Sequence, residues 1–174
     1  KNGHDLTHCQ KRDFMGRVLM STICVTGTAS GIGAATKQKL EAQGHRVIGV
    51  DLRDADVCGD LSQPADRLRI VDEVNALCGG VLDGLVPCAG VSTPVPNELI
   101  VRVNFFGTLA IVNGLRPALE KGTNSAVVMI SSNSTTMTPG LSVDDAMAYL
   151  QQDEETVVAR FSSPAAFVAY PAGK

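Results

Sequence analysis

A glycine-rich segment near the start of the chain constrains the fold more than any other feature. Residues 26–33 read Thr-Gly-Thr-Ala-Ser-Gly-Ile-Gly, between a β-rich run at 22–25 and a segment with helical periodicity at 31–43. A strand, a glycine turn and a helix N-terminus form an anion site, because main-chain N–H groups and the helix dipole point at a phosphate. The spacing is looser than G-x-G-x-x-G, but its position after a strand favours a nucleotide site over a structural turn.

Short apolar runs alternate with helical segments along the rest of the chain. Strands are predicted near residues 22–25, 46–50, 56–58, 82–88 and 125–131, and helices at 31–43, 64–78 and 96–121. Near-continuous apolar strands separated by helices predict a parallel sheet covered on both faces. We therefore expect an α/β fold, a Rossmann-like doubly wound parallel sheet in three α/β/α layers. Residues 1–20 are predicted to be a flexible extension, and residues 21–174 the nucleotide-binding domain.

The helical periodicity also predicts which faces are buried. Ile32 lies on the predicted inner face of the first helix, and Leu68, Val71, Val74 and Leu77 on that of the second. The acidic residues 153–155 are expected to form a solvated helix face.

Composition narrows the class of partner. The 174 residues are 44% hydrophobic with a net charge of −3, which is globular and argues against nucleic acid or an anionic membrane as a partner. No apolar run is expected to reach the length of a membrane span.

The five cysteines are odd in number and form no C-x-x-C pair, so we expect reduced thiols in a cytoplasmic protein, without disulfides or a metal site. These are Cys9, Cys24, Cys58, Cys78 and Cys88.

The end of the sequence carries a tyrosine followed by a lysine four positions later, Tyr170 and Lys174. On a helix the two side chains would share a face, so the lysine charge would favour the phenolate and lower a pKa that is ordinarily about 10. Such a tyrosine could give a proton to a carbonyl oxygen or take one from an alcohol. With the glycine loop, the pair predicts a nicotinamide-dependent oxidoreductase.

Asp51 ends the second predicted strand, about 20 residues beyond the glycine loop. A carboxylate there accepts hydrogen bonds from ribose hydroxyls and repels an added 2′-phosphate, which favours NAD over NADP. Arg53, two residues on, could instead hold a 2′-phosphate. A solvated acid at a strand end is the structural alternative.

These motifs resemble the short-chain dehydrogenase/reductase family over roughly residues 21–174. Residues 26–33 are similar to its T-G-x-x-x-G-I-G loop, and Asp60-Leu61 to an acidic pair that contacts the adenine ring. Cys88-Ala89-Gly90 stands where the family usually has Asn-Ala-Gly, whose Asn makes strand-stabilising hydrogen bonds. The resemblance implies cofactor contacts at Gly27, Thr28, Ser30, Gly31, Ile32, Gly33, Asp51, Asp60, Leu61, Cys88, Ala89 and Gly90.

The resemblance also implies a catalytic set of Asn104, Ser132, Tyr170 and Lys174. Tyr170 would be the acid/base, Lys174 would favour its phenolate, and Ser132 would polarise the substrate oxygen. Asn104 would bend its helix and hold a water that links Lys174 to solvent. Tyr149 has an aspartate rather than a lysine four residues later, so it is not the expected acid/base.

Within the family, the stretch between Ser132 and Tyr170 is long, and a helical insertion is predicted at about 133–165. That length, with residues 40–56, 82–90 and 116–122, is similar to the bacterial 3α-hydroxysteroid dehydrogenase/carbonyl reductase branch. The resemblance implies hydride exchange between a secondary alcohol and a ketone, with a 3α-hydroxysteroid as one candidate. It implies a small-molecule partner, and homo-oligomers among full-length members.

The family continues past the Tyr/Lys pair with a longer helix and two more strands. We therefore expect this chain to lack that C-terminal helix and those last two strands. A non-catalytic nucleotide-binding fragment, or a degenerate paralogue, is the alternative function.

Overall fold

The computed structural model describes residues 20–151, 153–163 and 168–174. Its centre is a five-stranded parallel sheet in the order β3-β2-β1-β4-β5. The predicted extension, apart from Met20, and Cys9 lie outside the described residues. The strands are β1 Thr22–Thr26, β2 Arg46–Asp51, β3 Val57–Cys58, β4 Gly84–Pro87 and β5 Ala126–Val127.

The sheet is built around β1, which pairs with β2 on one side and β4 on the other. Cys24 lies opposite Ile48 and Leu85, and these three side chains share one face because neighbours in register point the same way. The predicted Rossmann-like parallel sheet is confirmed. β5 is shorter than the predicted 125–131, because it lies at the sheet edge and receives ladder hydrogen bonds from one side.

Helices cover both faces of the sheet. α2 Pro64–Cys78 and α4 Thr108–Leu119 pack together over the face that carries Ile48 and Val50, and this is the main hydrophobic core. α1 Gly31–Ala42 packs against β1 and β2. A Cβ on Gly49, which points opposite to Ile48 and Val50, would lie 3.1 Å from Lys37 Nζ of α1. α1 therefore covers the other face.

Two of the predicted helix faces were wrong in part. Ile32 is 65% exposed, because it lies in the first turn of α1 beside the pocket described below. In α2 the buried residues are Arg67, Ile70 and Val74, whereas Leu68 is 71% exposed. The inner face is thus centred one residue earlier than predicted, and it includes a charged side chain.

The helix predicted at 96–121 consists of three consecutive segments. These are α3 Asn97–Val101, a π-helix over Arg102–Gly107, and α4. By length and composition alone, Asn97–Leu119 could cross a membrane, with a mean hydropathy of 1.3 over an 18-residue window, although no apolar run of that length was expected. Val101, Ile111 and Leu115 within it are fully buried, so part of this apolar composition serves packing against the rest of the protein.

The predicted insertion contains three helices in its described part, α5 Ser134–Met137, α6 Val143–Leu150 and α7 Glu154–Phe161, and α8 Ala169–Ala172 follows. α6 begins with a capping box formed by Ser142 and Asp145. Tyr149, Phe161 and Ala169 from this region pack with Phe106 in a second hydrophobic core. Of the inserted helices, α6 and α7 therefore pack against the π-helix through apolar contacts.

Candidate functional site

The glycine loop leaves the end of β1 at the centre of the sheet, between β2 and β4. In sheets wound in this order, ligands bind outside the carboxyl ends of the strands, where the connections diverge. Gly27 and Gly31 have φ of +76° and +57°, a left-handed backbone that glycine adopts without steric cost. The predicted loop thus lies at the position where such folds bind nucleotides.

The loop fits the pyrophosphate of a dinucleotide. A Cβ on Gly27 would lie 2.8 Å from Ala89 N, and one on Gly33 would lie 2.1 Å from Gly27 O. Both positions therefore require glycine. The lack of a side chain lets the loop approach the segment after β4 at Gly27, and lets the start of α1 approach the loop at Gly33. Gly31 has nothing within 4 Å on its Cβ side, so there is open space at the helix N-terminus, where a phosphate would bind.

A pocket of about 470 Å³ opens beside this loop. Its walls come from the ends of β1, β2 and β4, from the segment after β3, and from α3 and the π-helix. Sequence reasoning missed Val91, Leu99 and Val103, which have no motif of their own and reach the pocket through packing. Of the predicted cofactor residues, the structure brings the following into the lining: Gly27, Ser30, Gly31, Ile32, Gly33, Asp51, Asp60, Leu61, Cys88, Ala89 and Gly90.

Thr28 lies beneath the loop rather than in the pocket. It is 7% exposed, and a Cβ on Gly49 would lie 2.8 Å from its Oγ1. Its hydroxyl therefore points at β2, and it has no hydrogen-bond partner in the part of the chain that the structure describes. The side chain therefore lies between the loop and β2.

Asp51 and Asp60 are held in fixed orientations at the pocket. Asp51 accepts hydrogen bonds from Ala29 N at 2.8 Å and from Leu52 N at 2.7 Å, so it also anchors the glycine loop. Asp60 Oδ1 accepts from Ser62 N at 2.8 Å. Asp51 ends β2 and is placed where sequence reasoning expected a ribose contact.

Cys88 stands at the end of β4 in place of the family's usual asparagine. The strand ends are nevertheless tied together, because Thr26 Oγ1 accepts a hydrogen bond from Ala89 N at 3.0 Å. Burial raises the pKa of the Cys88 thiol, while a hydrogen bond with Thr36 and the charge of Lys174 oppose the shift.

Asn104 lies in the π-helix, a type of segment common at functional sites, and is 4% exposed. Its Oδ1 accepts from Val91 N at 2.8 Å, and its Nδ2 donates to Val91 O at 2.9 Å. The side chain predicted to hold a water therefore has main-chain partners. A Cβ on Gly90 would lie 3.2 Å from both Asn104 Oδ1 and Lys174 Nζ, so glycine there admits the amide and the ammonium to one edge of the pocket.

Lys174 lies beyond the end of α8, and its ammonium approaches the ring of Tyr170. Lys174 Nζ lies 5.9 Å from the centroid of the Tyr170 ring. Burial lowers the pKa of Lys174, and the nearby Cys88 thiol, when ionised, opposes the shift. Asn104 and Lys174 line a second cavity of about 230 Å³, whose walls include Phe105, Leu109 and Met129.

Ser132 is directed at its own loop. Its Oγ accepts hydrogen bonds from Ser134 N at 3.2 Å and from Ser134 Oγ at 2.9 Å. The neighbouring Ser131 donates to the main-chain oxygen of Lys174 at 3.3 Å, so the segment after β5 meets the end of α8. The described lining of the two cavities includes neither Ser132 nor Tyr170.

A parallel sheet in this strand order, with a glycine loop at its centre and a pocket over the strand ends, defines an α/β domain of the Rossmann type, a fold that binds nucleotides at this position. The chain belongs to the short chain dehydrogenase family, whose sequence profile matches residues 21–143. The family resemblance drawn from the motifs is therefore confirmed.

Three relatives show how much of a family member's length this chain covers. The chain is 46% identical over 115 residues to the 3-alpha-hydroxysteroid dehydrogenase/carbonyl reductase of Comamonas testosteroni, covering 65% of this chain and 44% of that protein. It is 34% identical over 116 residues to the coniferyl-alcohol dehydrogenase of Pseudomonas sp. strain HR199, covering 63% and 43%. The chain thus spans less than half the length of these two relatives.

The third is a crystal structure of the 3-alpha-hydroxysteroid dehydrogenase from Pseudomonas sp. B-0831 complexed with NADH. It matches with a TM-score of 0.80 and 40% identity, covering 88% of this chain and 66% of that one.

Proposed function

We propose that this chain carries the dinucleotide site and proton-transfer residues of an oxidoreductase that interconverts a secondary alcohol and a ketone. One observation carries the proposal. Residues from separate strand ends, chosen from sequence motifs, line a single pocket, and Lys174 and Asn104 meet at Gly90 on its edge. The dehydrogenases among the relatives support the same class of reaction.

The cofactor we propose is NAD. The open space at Gly31 and the close approach at Gly27 and Gly33 suit a pyrophosphate. Asp51 at the end of β2 would accept hydrogen bonds from a ribose and repel a 2′-phosphate, which disfavours NADP. When bound, the nicotinamide supplies hydride transfer. The complex of a relative with NADH is consistent with this choice.

The protein's own contribution is to hold and move a proton. Tyr170 would exchange the proton with the substrate oxygen, and the positive charge of Lys174 would stabilise its phenolate. Burial lowers the pKa of Lys174 and so works against that charge. Ser132, whose Oγ accepts from Ser134, would donate its own hydroxyl proton in a hydrogen bond to the same oxygen. Asn104 would hold the edge of the pocket through Val91.

The substrate class we propose is a small alcohol or ketone, with a 3α-hydroxysteroid as the first candidate. Two of the relatives bear that activity in their names. The second cavity offers apolar side chains beside Lys174, as an apolar substrate requires. A cytoplasmic location and homo-oligomeric full-length relatives remain predictions from the sequence.

Nucleotide binding without turnover is a second candidate function. It is favoured by the positions of Ser132 and Tyr170, neither of which belongs to the described lining of the two cavities. A serine and a tyrosine that stay outside both cavities would leave the substrate oxygen without its proton donors.

Absorbance of NADH, followed with 3α-hydroxysteroids and simple secondary alcohols, tests the proposal. We expect Tyr170→Phe to lower turnover by about 10² to 10⁴-fold with NADH binding retained. Tyr149→Phe is the matched control, because the same change there removes a hydroxyl that lies outside both cavities. The Tyr149 hydroxyl donates to Ala169 O in the second core. A chain that binds NADH without turnover would support the second candidate, and a chain that binds no dinucleotide would refute both.

A further inference from the structure

Arg67 is a buried arginine that the cofactor motifs do not include. Its side chain, on α2, is 6% exposed. Its guanidinium donates to Leu61 O at 2.6 Å, to Arg102 O at 3.1 Å and to both carboxylate oxygens of Glu154, at 2.6 and 2.7 Å. A further bond of 3.3 Å reaches Ser62 O. One planar group thus holds several main-chain carbonyls and an acid, as the rigid donor fork of arginine allows.

The partners of Arg67 come from three parts of the molecule. Leu61 lines the 470 Å³ pocket. Arg102 is the first residue of the π-helix that carries Asn104, and Glu154 is the first residue of α7 in the inserted segment. The guanidinium therefore connects the pocket wall, the π-helix and the insertion.

Glu154 supplies the negative charge that pairs with Arg67 and with Arg102. Its side chain is 17% exposed, and Oε1 also accepts from Arg102 Nη1 at 3.1 Å. The expectation that residues 153–155 form a solvated face was therefore wrong at Glu154, which lies between two arginines. Glu155, by contrast, pairs with Arg102 from outside and its side chain is 76% exposed.

We propose that Glu154 and Arg67 are positioning residues for the cofactor pocket, through which the inserted segment raises dinucleotide affinity without lining the pocket. A buried guanidinium that loses its carboxylate is left with an uncompensated charge, and it will shift to find other partners. Its hold on Leu61 O and Arg102 O then loosens, and the wall beside Asp60 moves. The proposal rests on the proposed function, since it takes the ligand to be a dinucleotide.

Titration of the full chain with NADH, followed by fluorescence, tests the proposal. We expect Glu154→Gln to raise the Kd about tenfold, a size typical of substitutions along a coupling network. Glu155→Gln makes the same substitution at the neighbouring position, which does not contact Arg67, and its Kd should stay within about twofold of the wild-type value. Equal effects of the two substitutions, or none, would overturn the proposal.

A second substitution separates the effect of the guanidinium hydrogen bonds of Arg67 from the effect of its charge. Arg67→Lys keeps the positive charge but replaces the donor fork with a compact ammonium. We expect it to weaken NADH binding as Glu154→Gln does, and wild-type affinity in Arg67→Lys would overturn the proposal. A lowered Tm with unchanged Kd in either variant would mean that the network only stabilises the fold, which also overturns it. Failure of the wild-type chain to bind NADH would instead refute the proposed function, and this proposal with it.

Discussion

Asn104 makes two hydrogen bonds to the main chain of a single residue, Val91. Its Oδ1 accepts from Val91 N at 2.8 Å, and its Nδ2 donates to Val91 O at 2.9 Å. The amide thereby joins the π-helix to the segment that follows β4, at the wall of the larger pocket.

Asn104→Asp tests this connection. The substitution replaces the donor that faces Val91 O with an acceptor and buries a charge, so the free energy of unfolding should fall by about 1–3 kcal/mol or more. Urea denaturation measures the change. Asn113→Asp, on the exposed side of α4, is the control and should stay within about 0.5 kcal/mol. Similar losses in the two variants would contradict the structural role of Asn104.

Gly31 and Gly79 form a matched pair for testing the phosphate site. Their φ values are +57° and +62°, and a Cβ on either has nothing within 4 Å. Alanine at each should therefore cost a similar 1–2 kcal/mol from left-handed backbone strain. Only Gly31 lies in the pocket, so calorimetry should show weaker NADH binding for Gly31→Ala alone. Unchanged affinity in Gly31→Ala would argue against a phosphate at the start of α1.

Asp51 is predicted to select NAD over NADP. Asp51→Asn removes the charge that repels a 2′-phosphate, so the ratio of the Kd for NADP to that for NAD should fall by about tenfold or more, as removal of roughly 1.4 kcal/mol of repulsion requires. Asp54→Asn is a suitable control, because Asp54 is exposed and asparagine tolerates its φ of +53°. Tighter binding of NADP than NAD by the wild-type chain would contradict the assignment.

Cys24 should make stability decline in alkaline solution. It is fully buried, and burial raises the pKa of its thiol from 9.0 to about 12, with smaller contributions from Cys78 and Asp56. Above pH 9 the unfolded chain binds fewer protons than the folded one, so the stabilisation present below that pH is lost as pH rises toward 12. Between pH 8 and 10 the loss from this group is about 1.3 kcal/mol.

Urea denaturation at the two pH values checks this prediction. Cys24→Ala should remove about that much of the pH dependence, although the cavity lowers its stability at both values. Cys58→Ala, at an exposed position, should keep the wild-type dependence. An unchanged dependence in Cys24→Ala would mean that other groups are responsible.

Local signals in the sequence predicted much of the fold. α2 spans Pro64–Cys78 as predicted, because a proline at its start and a left-handed Gly79 at its end mark the boundaries within a few residues. The glycine loop was equally predictable from the sequence, since strand, turn and helix follow one another along the chain. The pocket-lining residues at the strand ends could be named because they stand in motifs similar to those of the family, and the carboxyl ends of parallel strands bring these motifs to one edge of the sheet.

What only the tertiary structure decided involves residues far apart in the chain. Arg67 and Glu154 are separated by 87 positions, and neither the burial of the arginine nor the pairing of the acid has a local pattern. The same holds for Asn104, whose two hydrogen bonds to the main chain of Val91 join the π-helix to the segment after β4. Periodicity and motifs report a residue's neighbours within one segment, whereas the partner of a buried charge depends on how the segments pack.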